Sequence, residues 1–421
     1  MIDGKSANEI FDSIRQHITS GKLARGETLP PVRELAAQLD VNRNTVASAY
    51  KRLVTSGLAL SLGRNGTVVK ETLQPVALEG GCPHTQLTDL SSGNPAPDRL
   101  PDLNRYLSHI SRTPRLYGDA PVTPQLQRWA NAWMQEAMPA PGEIDLSSGA
   151  IDAIERLLCA HLLPGDSVAV EDPCFLSSIS MLRYSGFTAS PVGMDSEGML
   201  PEMLELALSK GARAVILTPR AHNPTGYSLS KARAAALQKI LSRYPQVLVI
   251  IDDHFALLSS ATWYPVISAQ TLHWAVVRSM SKTLGPDLRL AFVASDTSTS
   301  AKLRLRLNSG SQWVSHLLQD LAYACLTDDD YQHTLAQTRQ FYASQQHSLA
   351  QALRTQGIDN VIPGDGLNLW LPLATASQAT AFALAKSGWL VREGEAFGVN
   401  AAAHGLRITL ATLDDSDITR L

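Results

Sequence analysis

The sequence predicts an α/β protein with a small helical head and a larger body built around a mostly parallel sheet. Three observations predict it. The chain has 421 residues, enough for one large and one small domain. Residues 1–70 hold three stretches with apolar side chains at helical spacing, followed by a hairpin signal. Beyond residue 140, short apolar runs alternate with amphipathic helical stretches, the pattern of strands joined by crossover helices.

Composition excludes several classes. With 44% hydrophobic and 18% charged residues the chain buries a core rather than staying disordered. The longest purely aliphatic run, Val247–Ile251, is far too short to span a bilayer. Met1 leads into a polar stretch without the apolar centre of an export signal. Cys82, Cys159, Cys174 and Cys325 are scattered, and none forms a C-x-x-C pair. No metal knuckle or disulfide framework is expected, and a reducing cytoplasmic location fits. The net charge of −3 is uneven. Residues 1–70 carry ten Lys/Arg against six Asp/Glu, so a basic head sits on an acidic body. That asymmetry points to an anionic partner for the head.

In the head, Ser6-Ala7-Asn8-Glu9 has the form of a capping box. Ile10, Phe11, Ile14 and Ile18 follow on one helical face, and Gly21 is a stop signal. Pro30-Pro31 opens a second helix with Val32, Leu35, Ala36 and Leu39 facing inward. Asp40-Val41 is a tight turn in which Asp tolerates a left-handed backbone. Asn42 caps a third helix with an inner face of Val46, Ala49, Tyr50, Leu53 and Val54, and Gly57 ends it. Leu58–Ser61 and Thr67–Val69 read as short strands joined through Asn65-Gly66. Three helices and a two-stranded wing make a winged helix-turn-helix.

The run from Gly21-Lys22-Leu23 through Leu29-Pro30-Pro31-Val32-Arg33-Glu34-Leu35-Ala36, Val41-Asn42-Arg43-Asn44-Thr45-Val46 and Tyr50-Lys51-Arg52-Leu53 to Gly57-Leu58 resembles the GntR family of bacterial DNA-binding domains. Pro31-Val32 departs from it, since the family usually has two small polar residues there. The third helix of such a head enters the major groove. Arg43, Asn44 and Thr45 at its start would reach base edges and phosphates of double-stranded operator DNA. Arg33 would meet the passing backbone, and Arg64 with Gly66 on the wing an adjacent groove or phosphate.

Residues 71–88 carry Gln74-Pro75, Gly80-Gly81 and Cys82-Pro83 without periodicity and read as a linker. In the body, residues 89–421, the expected strands are Ser167–Glu171, Ala212–Thr218, Val247–Ile251, His273–Arg278 and Leu290–Ser295. Helical patterns over Ala153–Leu163, Pro201–Lys210 and Ser230–Arg243 lie between them.

Ligands of such sheets sit beyond the carboxyl ends of the strands. There His222-Asn223-Pro224-Thr225-Gly226 follows one strand, Asp252 closes the next, and Ser279-Met280-Ser281-Lys282 follows a third, with Arg289 shortly after. An amine, a carboxylate, an amide and an arginine on one rim suit pyridoxal 5′-phosphate (PLP). The lysine captures its aldehyde, the carboxylate holds the pyridinium nitrogen protonated, and the amide binds the ring hydroxyl. The phosphate takes a helix start, hydroxyls and an arginine. Ser147-Ser148-Gly149-Ala150-Ile151 offers the helix start, with Ser279, Ser281 and Arg289 around it.

Order and spacing over residues 90–421 resemble fold-type I aminotransferases. The resemblance implies Lys282 as the Schiff-base lysine, Asp252 as pyridinium partner, and Asn223 on the ring hydroxyl. It puts Arg289, Ser279, Ser281 and the start of the helix at Ala150 and Ile151 on the phosphate, and Phe175 on the ring face. Tyr117 would reach the phosphate from a neighbouring subunit, and Arg407 would take an effector or substrate carboxylate. A GntR head on such a body resembles the MocR-type regulators. That implies a homodimeric, cytoplasmic, PLP-binding transcription regulator that senses PLP and acts on vitamin B6 metabolism.

Some positions depart from the enzyme pattern. Phe255 stands where a tyrosine commonly donates to the ring hydroxyl, with His254 beside it. Ile151 replaces a glutamine of related regulators, and Val122 replaces a glycine after Tyr117-Gly118-Asp119-Ala120. Leu421 falls partway through an expected final helix, as in a truncated chain. The losses fall on groups that tune turnover, so the expectation is cofactor binding without sustained transamination. The alternatives are a working aminotransferase with a DNA-binding head, and a DNA-binding protein with an inert body.

Overall fold

A computed structural model of the chain describes residues 2–24, 26–56, 58–61, 63, 66–69, 79–81, 85–111, 113–400 and 402–421. It divides into two compact units, Met1–Val76 and Ala77–Leu421.

The first unit holds helices Ala7–Thr19, Val32–Leu39 and Arg43–Thr55 and an antiparallel pair, Ala59–Ser61 with Thr67–Val69. Capping chemistry sets the helix starts. Ser6 accepts from the Glu9 N–H, and Asn42 accepts from the Asn44 N–H at 2.9 Å. Asp40 takes the left-handed conformation, φ 50°, that lets the chain turn between the second and third helices. Ile10, Ile14, Leu35, Val46, Ala49 and Leu53 form the centre of the core, each at most 3% exposed. Tyr50 joins them and donates its hydroxyl hydrogen to the Pro30 carbonyl at 2.6 Å. Gly57, expected to end the third helix, and Asn65 of the wing turn lie outside the described residues.

The second unit is built on an eight-stranded sheet. Its order is Glu143–Ser147, Ala291–Ser295, His273–Ser279, Leu248–Asp252, Ala214–Leu217, Ser167–Asp172, Thr188–Asp195, Gly198–Met199. The run from His273–Ser279 to Thr188–Asp195 is parallel. Ala291–Ser295 pairs antiparallel with both its neighbours, and Gly198–Met199 is an antiparallel edge. Both faces are covered, so the central strands read as unbroken apolar runs. In Leu248–Asp252, Val249 and Ile251 enter one core and Leu248 and Ile250 the other, as alternation across a strand requires. The observed strands lie within a residue or two of the expected ones, as do helices Pro201–Ser209 and Lys231–Leu241, whereas helix Ala150–His161 starts three residues before the expected Ala153.

A smaller layer completes this unit. Asn368–Pro372, Gly405–Thr409 and Arg392–Glu393 form an antiparallel sheet with its own core around Leu349, Leu369, Leu406 and Leu410. Thr88–Asp89 pairs with Trp389–Leu390 and fixes the start of the unit to this layer.

Candidate functional site

The first unit presents a polar helix start. Arg43 and Asn44 are exposed and Thr45 is half-buried at the N-terminal turn of the third helix. Arg33, in the second helix, is exposed, and neither it nor Arg43 is ion-paired to a described residue. Gly66, φ 87°, is exposed in the wing, where an L side chain would be strained. Arg64 lies outside the described residues. Arg52, at the other end of the third helix, is used structurally: its guanidinium bonds Asn8 and sits 4.4 Å from the Phe11 ring centre.

In the second unit the carboxyl ends of the parallel strands open on a cavity of about 390 Å³. Asp252 ends one strand and Ser279 the next, and Lys282 follows in the turn after Ser279. Asn223, Phe175, Ser281 and Arg289 line the same cavity, as do Ala150 and Ile151 at the start of their helix.

One end of the cavity is shaped for a phosphate. Helix Ala150–His161 starts after Gly149, φ 104°, with no side-chain cap on its first turn. Its first N–H groups and its dipole are therefore directed at the cavity. A Cβ on Gly149 would come within 2.5 Å of Arg289 Nη2, so glycine is what lets the guanidinium lie against this turn. Arg289 Nη2 also donates to the Ser148 carbonyl at 3.3 Å. Ser279 and Ser281 face each other, their hydroxyl oxygens 3.1 Å apart.

The other end suits a pyridinium ring and an aldehyde. Asp252 is 7% exposed, and its Oδ1 has no hydrogen-bond partner among the described residues; His254 Nδ1 stands 3.6 Å away. A buried carboxylate oxygen without a donor is the complement of a protonated ring nitrogen. Lys282 Nζ donates to the Gly93 carbonyl at 2.5 Å. Burial pulls this amine down to about 8, against the raising influence of Glu79, and Arg407 lowers it further. The donor set fits PLP: Lys282 for the aldehyde, Asp252 for the ring nitrogen, and the Gly149–Ile151 turn, Ser279, Ser281 and Arg289 for the phosphate.

Arg407 lies behind the cavity wall, fully buried on strand Gly405–Thr409. Its Nη2 donates to the Ser91 carbonyl at 2.6 Å and its Nη1 to Asn223 Oδ1 at 2.9 Å. Nη1 also pairs with Glu79 Oε1, which in turn accepts from Asn223 Nδ2 at 3.2 Å. Tyr117 is not brought to this cavity; it is 85% exposed, its ring edge against Trp313.

The body is matched over residues 85–421 by the family described as aminotransferase class I and II. The head is matched over residues 6–69 by the bacterial regulatory proteins of the gntR family. Over all 421 residues, and 98% of the relative, the chain is 74% identical to the vitamin B6 salvage pathway transcriptional repressor PtsJ of Salmonella typhimurium. The chain is a MocR-type member of the GntR family. The regulator TauR of Rhodobacter capsulatus is 25% identical over 94% of this MocR-type chain and 90% of its own. Among solved structures, kynurenine aminotransferase of Pyrococcus horikoshii superposes with a TM-score of 0.70 at 22% identity, over 80% of this chain and 89% of that one. The α-aminoadipate aminotransferase LysN of Thermus thermophilus, complexed with N-(5′-phosphopyridoxyl)-L-leucine, gives 0.68 at 22%, over 80% and 90%. At these identities the two structures establish the fold of the MocR body, an aminotransferase fold with a mostly parallel central sheet.

Sequence reasoning missed several lining residues of this MocR-type site. Asn94, Ser177 and Thr218 line the cavity: Ser177 lies two residues after Phe175, Thr218 ends an expected strand, and Asn94 belongs to no segment singled out in the sequence. Glu79 lines it too, from within the stretch read as linker. Phe255 points away: it is 2% exposed and packs on Tyr342, ring centres 5.9 Å apart. The absent tyrosine hydroxyl is thus replaced by core packing, and it is the neighbouring His254 that reaches the cavity.

Proposed function

We propose that this protein is a PLP-binding, sequence-specific transcription repressor that senses PLP and controls a gene of vitamin B6 salvage. What carries the reading is the 74% identity, from end to end, to a repressor of that pathway. The donor set of the cavity supports PLP as its ligand. When bound, PLP supplies an aldehyde for a neutral lysine and a ring nitrogen for a carboxylate. The protein acts in the cytoplasm as a homodimer, whose two heads read paired half-sites of double-stranded DNA. Tyr117, exposed on the single chain, then serves the phosphate of a second copy. Among the described residues no helix is long and apolar enough to cross a membrane.

Sustained transamination is outside this reading, because Phe255 has no hydroxyl and Glu79 already occupies Arg407. The second reading, a working aminotransferase, draws on the retained Lys282, Asp252 and Arg407. Amino-acid and oxo-acid turnover on the order of 1 per second or faster would favour it.

The test of the regulatory reading is titration of the operator with apo protein, PLP-loaded protein and Arg43→Ala. PLP is expected to change operator affinity by roughly 5–150-fold, and DNA must change PLP affinity by the same factor. Arg43→Ala is expected to weaken operator binding by about 1–3 kcal/mol. Equal affinities for apo and loaded protein would remove PLP as the signal. Unchanged affinity for Arg43→Ala would move base reading to another surface.

A further inference from the structure

We infer that Glu79 is a built-in carboxylate ligand of Arg407, which closes the carboxylate subsite of the cavity and so sets its ligand class: PLP is admitted, amino-acid carboxylates are refused. The inference rests on the reading of the cavity as a PLP site. It deepens that reading by naming the residue that separates a PLP sensor from an amino-acid sensor.

Five observations carry it. Glu79 Oε1 accepts from Arg407 Nη1 and from Asn223 Nδ2 together, so the guanidinium expected to take a ligand carboxylate already holds one. The Arg407 side chain is 0% exposed and that of Glu79 17%, so the pair is largely withdrawn from water. Glu79 also lines the cavity that holds Lys282 and Asp252, which places its carboxylate within the ligand space. The opposite wall is cut for it: a Cβ on Gly93, φ 64°, would collide with Glu79 Oε1. The backbone next to Glu79 is anchored as well, since the Gly80 N–H donates to the Ser92 carbonyl at 3.0 Å.

The charges facing Glu79 agree with this. Arg407 and Lys282 both register its field, and Arg392 donates to the carbonyl of the adjacent Gly80 at 3.3 Å. A buried guanidinium without an acid would carry a large desolvation cost, which Glu79 offsets. At Arg407 Nη1 an incoming carboxylate meets a donor that Glu79 already holds, so there it only exchanges with a bond already made. The resident acid is tethered, with an effective concentration in the millimolar range or above. A free amino acid must exceed that concentration to displace it.

The test uses apo protein and two probes that differ only at the carboxylate: N-(5′-phosphopyridoxyl)-L-leucine and its carboxamide. Calorimetry gives the acid-to-amide affinity ratio for wild type, Glu79→Gln, Glu79→Ala and Glu79→Gln/Arg407→Gln. Wild type is expected to bind the two probes within about threefold, because Arg407 is already engaged. Both single variants are expected to favour the acid at least tenfold, a gain that the double variant loses. Binding of the carboxamide by every variant shows that the fold and the ring and phosphate contacts persist. Equal ratios in wild type and the single variants would overturn the assignment of Glu79, as would a wild-type ratio already above tenfold. Failure of wild type to bind either probe would overturn the PLP reading of the cavity, and this inference with it.

Discussion

Lys282→Ala should lose PLP on dialysis and give no borohydride-fixed label, whereas the wild-type protein carries the reduced cofactor on Lys282 alone. The reason lies in the protonation state of the amine as much as in its position. Lys282 is held at about 8 by burial, with Arg407 adding to the lowering and Glu79 opposing it. Only the neutral amine attacks an aldehyde. At pH 7 a group titrating near 8 is neutral about one time in ten, against less than one in a thousand for an ordinary lysine near 10.4. The rate at which the apo protein captures PLP should therefore rise with pH, pass half its maximum near pH 8 and level off about one to two units higher, where deprotonation is complete. An unperturbed lysine would still be accelerating at pH 10. The measurement is stopped-flow absorbance across that range, followed by reduction and peptide mapping. A reducible adduct in Lys282→Ala would reassign the lysine. A midpoint near 10 would show that the amine is not buried as described.

Much of this site was legible because its chemistry sits at places that local rules mark. Asp252 and Ser279 end apolar runs, Lys282 follows in a Ser-x-Ser-Lys turn, and Ala150 opens a helix after a glycine. The head was legible for the same reason: Ser6, Asp40 and Asn42 do work that depends only on a few neighbours in the chain. Glu79 obeys no such rule. It stands in Leu78-Glu79-Gly80-Gly81, where glycines suggest a loop, and its partner Arg407 is 328 residues away. The one local trace was Gly93 in Ser92-Gly93-Asn94-Pro95, a glycine whose missing side chain makes the room. The small antiparallel layer of the body was likewise hidden. Its strands are short, and Arg392–Glu393 is defined by its partner rather than by any apolar pattern.

The charged frame behind the cavity escaped notice too, and it leads to the largest expected change in stability. Asp253 is fully buried beside Asp252. It receives Arg220 Nε at 3.0 Å and Nη2 at 2.6 Å on one side and Arg278 Nε at 2.9 Å on the other. Arg220 belongs to the loop that presents Asn223, Asp253 adjoins Asp252, and Arg278 precedes Ser279. One buried carboxylate thus ties together the three segments that carry Asn223, Asp252 and Ser279. The two guanidiniums are also packed on Trp263, 5.3 and 5.4 Å from its ring centre. Asp253→Ala leaves both cations buried with one anion fewer, which should cost about 3–5 kcal/mol. Asp253→Asn keeps the shape and one acceptor and should cost less. All seven tryptophans lie in the second unit, so urea titration followed by tryptophan fluorescence reports that unit alone. PLP affinity should fall with the same variants although Asp253 does not line the cavity, because Asn223, Asp252 and Ser279 lose their common anchor. A loss below about 1 kcal/mol in Asp253→Ala, or full PLP affinity in a destabilised Asp253→Asn protein, would show that the three strand ends are held in place by other contacts.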